Sequence, residues 1–181
     1  MAKSSKEKKR LKRKAKQKQV QGARTRSSIR ERGQIYAAEA AYFAESGDFQ
    51  RAVTNIRKAV KLVPNDPEMF RHLGYVSSIL KDSGMELEAI RGLERLGVDS
   101  DEDKVHKLFL LMTLKEYEEG LEWSQALLAN FTKLNIKSKR KVKKDIQDAE
   151  EYCRIYMARQ SVKDVFAANT AFSGKKLKKS G

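Results

Sequence analysis

The 181-residue chain contains only two prolines, one cysteine and two histidines. With Cys153 as the single cysteine, no disulfide forms within the chain, and a reducing compartment is expected. No apolar run approaches the roughly 18 residues of a membrane-spanning helix. The N-terminal lysines precede no apolar segment, so no secretory signal is predicted. These features predict a soluble, cytoplasmic protein with no membrane contact. A nuclear or nucleolar location and a mitochondrial presequence around 24–28 remain alternatives.

Sequence motifs that carry catalysis are also missing. There is no Gly-rich phosphate loop, no nucleophile elbow and no zinc-ligand spacing. The acid pair Glu118 and Glu119 fits a polar helix face and needs no catalytic interpretation. We therefore expect a non-enzymatic protein with no cofactor and no metal.

Charge is abundant but unevenly distributed. Residues 1–32 hold 14 Lys/Arg and 2 acids, a net charge of +12. Residues 33–132 hold 11 Lys/Arg and 17 acids, a net charge of −6. Residues 133–181 hold 14 Lys/Arg and 5 acids, a net charge of +9. An acidic body thus lies between two basic ends, which suggests a polyanion as one partner.

The basic N-terminal segment, residues 1–21, has two large apolar side chains, Leu11 and Val20. Because so little apolar surface cannot offset the entropy of ordering, 1–28 is predicted to be a disordered basic tail. The C-terminal segment 169–181 is predicted to be another. Three roles stay open for the N-terminal tail: contact with RNA, DNA or the ribosome, a solubilising tail, or a nuclear address. The predicted polyanion contacts there are Lys8, Lys9, Arg10, Lys12, Arg13 and Lys14.

A helical hairpin is predicted between Tyr36 and Pro67. The first helix carries Tyr36, Ala40 and Phe43 on one stripe, Gly47-Asp48 makes a turn, and the second helix has apolar residues at spacings of three and four. Pro64 and Pro67 close the unit. Such a small hairpin cannot bury its own apolar face, so it needs a similar unit beside it.

The hairpin resembles a tetratricopeptide repeat (TPR), a helix-turn-helix unit with a period of about 34 residues. The landmarks that carry the resemblance are Tyr36, Ala40, Phe43, Gly47, Phe49, Ala52, Ala59 and Pro64, with Glu39 in place of a large apolar residue. A second unit follows Asp66-Pro67 with Phe70, Leu73 and Gly74. A third runs from Asp101, and Gly47, Lys81 and Lys115 mark equivalent turns 34 residues apart. The turn around Lys81 is predicted to be about three residues longer than the first.

After Asn130, apolar residues recur at helical spacing and resemble the extra helix that covers the end of a TPR stack. They are Val142, Ile146, Ala149, Cys153 and Tyr156. Its basic start, Lys139, Arg140, Lys141, Lys143 and Lys144, opposes the helix dipole and is either a solvated face or a second polyanion site. Tyr117 and Trp123 favour packing over base stacking.

The resemblance implies an all-α fold: a right-handed superhelix of about three TPR hairpins with a C-terminal capping helix and disordered basic tails. The predicted organisation is a TPR domain at 29–132, with repeats at 33–66, 67–100 and 101–132, and a capping region at 133–168. Function is predicted as an adaptor or scaffold that binds a partner protein segment in its concave groove. The alternative is a nucleic-acid- or ribosome-associated protein whose N-terminal tail is the main binding element.

The resemblance also indicates which residues face the groove, and His72 and His106 are expected to lie near one another in it. The predicted groove residues are Ala37, Ala41, His72, Tyr75, Ser78, His106 and Leu110. TPR proteins that bind chaperone C-termini hold the carboxylate with Lys, Asn and Arg, but the matching positions here are Ala37, Ala41, His72, Glu102 and His106. The groove is therefore expected to take a neutral or basic segment, one candidate being the chain's own tails.

Overall fold

The structure is a computed structural model that describes residues 28–177, with side chains described through Asp164. Seven α-helices and one short 3-10 helix occur in this range, and no strand does. The helices are α1 (28–45), α2 (Phe49–Leu62), α3 (Pro67–Leu80), α4 (Ser83–Arg95), α5 (Asp101–Thr113), α6 (Tyr117–Ala129) and α7 (Lys139–Leu177). The predicted fold class, an all-α helical repeat, is confirmed. The polyanion residues predicted at 8–14 lie outside the described residues.

The repeat is visible in the backbone of the three turns that join paired helices. Gly47, Lys81 and Lys115 all have a left-handed conformation, with φ of 84°, 55° and 64°. In each turn the next amide donates to a carbonyl five residues earlier: Asp48 to Phe43 at 2.9 Å, Asp82 to Ser77 at 3.0 Å, and Glu116 to Leu111 at 2.9 Å. This bond satisfies a carbonyl at the end of a helix. The 34-residue period is therefore a period of conformation.

The second turn differs from its prediction. Only Lys81 and Asp82 separate α3 from α4, so the turn is as short as its counterparts. Asp82 Oδ1 accepts a hydrogen bond from the Met85 amide at 3.0 Å, and this side-chain cap starts the helix before Gly84. The prediction of a longer turn gave Gly84 too much weight as a helix breaker.

The chain divides into two compact units, one ending at Met85 and the other beginning at Glu86. In the first unit the close approach of α1 to the end of α2 depends on Gly33. A Cβ added there would lie 2.4 Å from Val63 Cγ2, closer than atoms can approach. Small residues continue along the same face of α1, because Ala37, Ala40 and Ala44 are all buried. Helices α2 and α3 pack together.

The second unit is built around α7, which packs against α5 and α6. Its predicted apolar stripe is buried at Ile146, Ala149 and Cys153. Leu108, Leu127, Phe131 and Leu134 complete this core with Ile146 and Ala149. Helix α7 continues to Leu177, so residues 169–177 of the predicted C-terminal tail are helical.

The start of α5 is fixed to the segment before α7. Ser100 and Asp103 form a reciprocal capping box at the α5 N-terminus. The Asp101 carboxylate accepts hydrogen bonds from the Asn135 amide and from Lys104 Nζ, both at 2.8 Å. These bonds, led by the one from Asn135, hold the pKa of Asp101 below its ordinary value.

Candidate protein-binding surface

In the first unit, Tyr75 stands on an exposed face of α3 and connects it to α1. Its hydroxyl donates a hydrogen bond to Glu45 Oε1 at 2.5 Å, while 47% of the residue surface stays in contact with solvent. The bond to the carboxylate raises the pKa of the Tyr75 hydroxyl, so the ring is neutral throughout the physiological range. The fixed hydroxyl leaves an oriented aromatic surface for a ligand.

The other predicted groove residues of the first unit differ in their access to solvent. Ser78 is exposed, and its hydroxyl donates to the Tyr75 carbonyl at 2.8 Å. His72 and Ala41 are half-buried, whereas Ala37 is fully buried. Ala37 thus has no surface with which to touch a ligand. Its small side chain serves the packing of α1.

In the second unit, the exposed face of α5 carries Glu102, His106 and Phe109. His106 Nε2–H donates to Glu86 Oε1 of α4 at 2.8 Å, which orients the imidazole. Phe109 is 38% exposed, but its neighbour Leu110 is only 5% exposed and belongs to a core with Leu87. Leu110, like Ala37, therefore lacks contact surface.

The 34-residue period explains both of these differences. Tyr75 corresponds to Phe109, and both are exposed, whereas Val76 corresponds to Leu110, and both are buried. In the same way Ala38, which is exposed, corresponds to His72 and His106. The sequence prediction missed Ala38 and Phe109. Counting 34 residues from Tyr75 and His72 would have identified them.

A charged cluster lies between the helices of the second unit. Lys107 is 5% exposed, and its Nζ donates to Glu94 Oε2 at 2.9 Å and lies 3.5 Å from Glu119 Oε1. The same ammonium lies 3.8 Å from the centroid of the Trp123 ring, in cation–π geometry. Trp123 Nε1–H donates to the Lys104 carbonyl at 2.8 Å, so its indole is held between α5 and α6. This arrangement favours a packing role for Trp123.

The basic start of α7 is exposed as predicted from its charge. Helix α7 begins at Lys139, and its first turn contains no acid. The positive end of the helix dipole therefore adds to the cationic side chains, which raises the local positive potential. The exposed cations of this stretch are Lys139, Arg140, Lys141, Lys143 and Lys144.

Metal and thiol chemistry find no support in the described part of the chain. Within residues 28–177, no group of three or more His, Cys, Asp or Glu side chains is arranged to hold a metal ion. Cys153 is fully buried, and burial raises the pKa of its thiol. Among the described helices, none combines the length and apolar character needed to cross a bilayer.

No protein-family model matches the chain, and no curated protein matches its sequence. One solved structure with a similar arrangement of helices is the assembly chaperone of RpL4 (Acl4), residues 1–338. It is 16% identical, with a TM-score of 0.46, over 86% of this chain and 60% of that chain. The chain thus spans well under two thirds of that structure. This similarity is too low to indicate a shared function.

Proposed function

We propose that the protein is a non-enzymatic TPR-type adaptor that binds a partner protein segment on the exposed faces of α3 and α5. One observation carries the proposal: Tyr75 and Phe109 expose large aromatic rings at equivalent repeat positions, while Val76 and Leu110 beside them are buried. Exposed aromatic side chains on rigid helices are enriched at protein interfaces, because they bury much apolar area at a low entropic cost.

The TPR assignment is supported by the turns. A period of 34 residues is the length of a TPR unit. Gly47, Lys81 and Lys115 share this spacing, the left-handed conformation and the same hydrogen bond. A TPR stack presents its first helices to the ligand, and in this chain these are α1, α3 and α5.

The chemistry of the surface indicates the kind of segment it takes. The exposed acids Glu45, Glu68 and Glu102 accompany the aromatic residues on the first helices. Acids at an interface repel a carboxylate ligand and attract cationic groups. We therefore propose a neutral or basic partner segment with apolar side chains. The contact residues we assign are Ala38, Ala41, His72, Tyr75, Ser78, His106 and Phe109.

Site-specific photocrosslinking in the full-length chain tests this function. A photoreactive phenylalanine analogue would replace Tyr75 or Phe109, and in matched controls Thr54 or Gln125, which are exposed on the second helices α2 and α6. After nuclease treatment, we expect the same protein adduct from positions 75 and 109 and several-fold less adduct from the controls. Equal adducts at all four positions, or adducts that vanish with nuclease, would refute the proposal.

A second function, contact with RNA, DNA or the ribosome, is favoured by the basic start of α7. Five exposed cations within six residues coincide with the positive end of a helix dipole. Such a site binds phosphates without reading sequence. Together with the cations at 8–14, it would attach the adaptor to a polyanion, and a cytoplasmic location fits both functions.

A further inference from the structure

An open groove lies in the second unit, away from the exposed face of α5. It is formed where the turn into α6 meets α7, and it has a volume of about 810 Å³. Tyr117 and Tyr156 contribute aromatic walls with ring centroids 4.0 Å apart, and Met157 adds an apolar side chain. The volume is in the range of pockets that enclose a ligand or several peptide side chains.

The sequence of α7 changes character at this groove. The stripe that packs on α5 and α6 is apolar through Ile146, Ala149 and Cys153. On the same stripe, one and two turns past Tyr156, stand Gln160 and Asp164. The Gln160 amide donates to Asp164 Oδ1 at 3.3 Å. A purely apolar ligand would remove these polar groups from water without replacing their hydrogen bonds, which is costly.

The charge of the groove is negative. Four acids line it, Glu116, Glu118, Glu119 and Asp164, against one cation, Lys115. Arg91 donates to Glu116 at 3.0 Å and to Glu119 at 2.5 Å, which neutralises part of this charge. Glu118 and Asp164 are both exposed, so their carboxylates give the groove its remaining negative potential.

We propose that this groove is a second docking site, which binds a lysine- or arginine-rich peptide segment of a protein partner. The aliphatic stems of the cationic side chains pack on Tyr117, Tyr156 and Met157, and the aromatic faces attract the charged groups. Glu118 and Asp164 pair with those groups at the rim. The aromatic rings provide affinity, and the acids select a cation over an anion or a neutral apolar segment.

A binding experiment with defined peptides tests the assignment. Fluorescence anisotropy of the full-length protein would use three labelled peptides of equal length, made of alternating Lys and Leu, Glu and Leu, or Ser and Leu. We expect the Lys peptide to bind at least tenfold more tightly than the other two at about 0.15 M salt. Absence of binding, or equal binding of the Ser peptide, would overturn the proposal.

A charge-matched pair of double variants locates the site. The variant Glu118→Lys with Asp164→Lys changes the groove, whereas Asp148→Lys with Glu151→Lys makes the same net change at exposed positions of α7 outside the groove. The first should weaken binding of the Lys peptide at least tenfold and the second less than about twofold. Equal weakening would mean that net charge alone attracts the peptide, and the groove would be rejected.

Two further variants separate packing and the other binding surface from this site. Tyr156→Ala should weaken binding of the Lys peptide several-fold with unchanged helical content by circular dichroism, since 39% of this residue is exposed. Tyr75→Ser with Phe109→Ser should leave peptide binding unchanged. Loss of binding in this variant would place the peptide on the α3 and α5 surface and would refute the groove. The experiment thus distinguishes this inference from the adaptor function.

Discussion

Lys107 combines a charged group with a position that packs like a core residue. Its aliphatic stem is buried, and its ammonium is held by Glu94, Glu119 and the Trp123 ring. Both carboxylates remain more than a third exposed, so the desolvation of this cluster is incomplete. From the sequence, Lys107 was only a departure from the apolar pattern. Its three partners come from α4 and α6, and no local pattern brings them together.

Removing the Lys107 side chain should destabilise the protein. We expect Lys107→Ala to lower the free energy of unfolding by about 1–3 kcal/mol, because two carboxylates lose their common partner and the Trp123 ring loses a contact. Lys107→Met should lose less, because an apolar side chain of similar length restores packing. Urea unfolding measures both variants against Lys137→Ala, an exposed control. A Met variant less stable than the Ala variant would contradict the prediction.

Asp101 should make stability depend on acid pH. Its pKa is lowered in the folded state, chiefly by the bond from the Asn135 amide and then by Lys104. The folded state therefore binds fewer protons than the unfolded chain just below pH 4. The stabilisation is present above that pH and is lost as pH falls through the lower, folded pKa.

The corresponding variant is Asp101→Asn, measured by thermal unfolding between pH 7 and pH 2.5. The difference in Tm from the wild type should be largest near pH 7 and should shrink below pH 4. Asp148→Asn, at an exposed position on α7, provides the control and should show little difference at any pH. A difference for Asp101→Asn that does not change with pH would exclude the ion pair and hydrogen bond as its cause.

The turns are the elements that the sequence predicted best. Gly47, Lys81 and Lys115 were placed as equivalent positions by spacing alone, and all three have left-handed backbone. The same spacing would have fixed the start of α4, but Gly84 suggested a longer loop. An interior glycine carries a penalty of only about 1 kcal/mol, which the Asp82 cap offsets. Tertiary and capping interactions thus decided a boundary that local propensity left open.

The three turns also give a reciprocal stability prediction. Gly47→Ala should lower the free energy of unfolding by about 1–2 kcal/mol through backbone strain alone, because no atom lies within 4 Å of the added Cβ. Lys81→Gly and Lys115→Gly relieve the same strain but lose backbone entropy, so they should raise stability by up to about 1 kcal/mol. Chemical denaturation tests all three. Stabilisation by Gly47→Ala would contradict the left-handed assignment.

On the scale of the whole molecule, the sequence predicted composition and repeat better than contact surfaces. Its groove set included Ala37 and Leu110, which are buried, and omitted Ala38 and Phe109. A helical face advances by 100° per residue, so a shift of one position exchanges a ligand-facing residue for a core residue. Repeat spacing carries the information that corrects this shift, because equivalent positions have equivalent exposure.

The two basic regions should add to the salt dependence of polyanion binding. For a DNA duplex, each neutralised phosphate contributes about −0.9 to the slope of log K against log salt. Lys139→Gln, Arg140→Gln and Lys143→Gln together should reduce the slope by up to about 2.7. Deletion of residues 1–21 should reduce it further. The control variant Lys58→Gln, Lys61→Gln and Lys81→Gln removes three exposed cations of the first unit, and it should leave the slope nearly unchanged.

Equal slopes for the α7 variant and its control would show that the start of α7 does not contact the polyanion. If deletion of residues 1–21 also left the slope unchanged, the polyanion function would be wrong. Neither result bears on the aromatic residues of α3 and α5, which are tested by crosslinking.

The burial of Cys153 beside Gly120 provides an intrinsic reporter of how α7 separates from α6. The Sγ atom lies 3.3 Å from the position that a Cβ on Gly120 would occupy, and the full sequence has no other sulfhydryl. An alkylating or disulfide reagent can therefore modify the chain only when these helices part. The rate of modification under native conditions measures the free energy of that local opening without any introduced label.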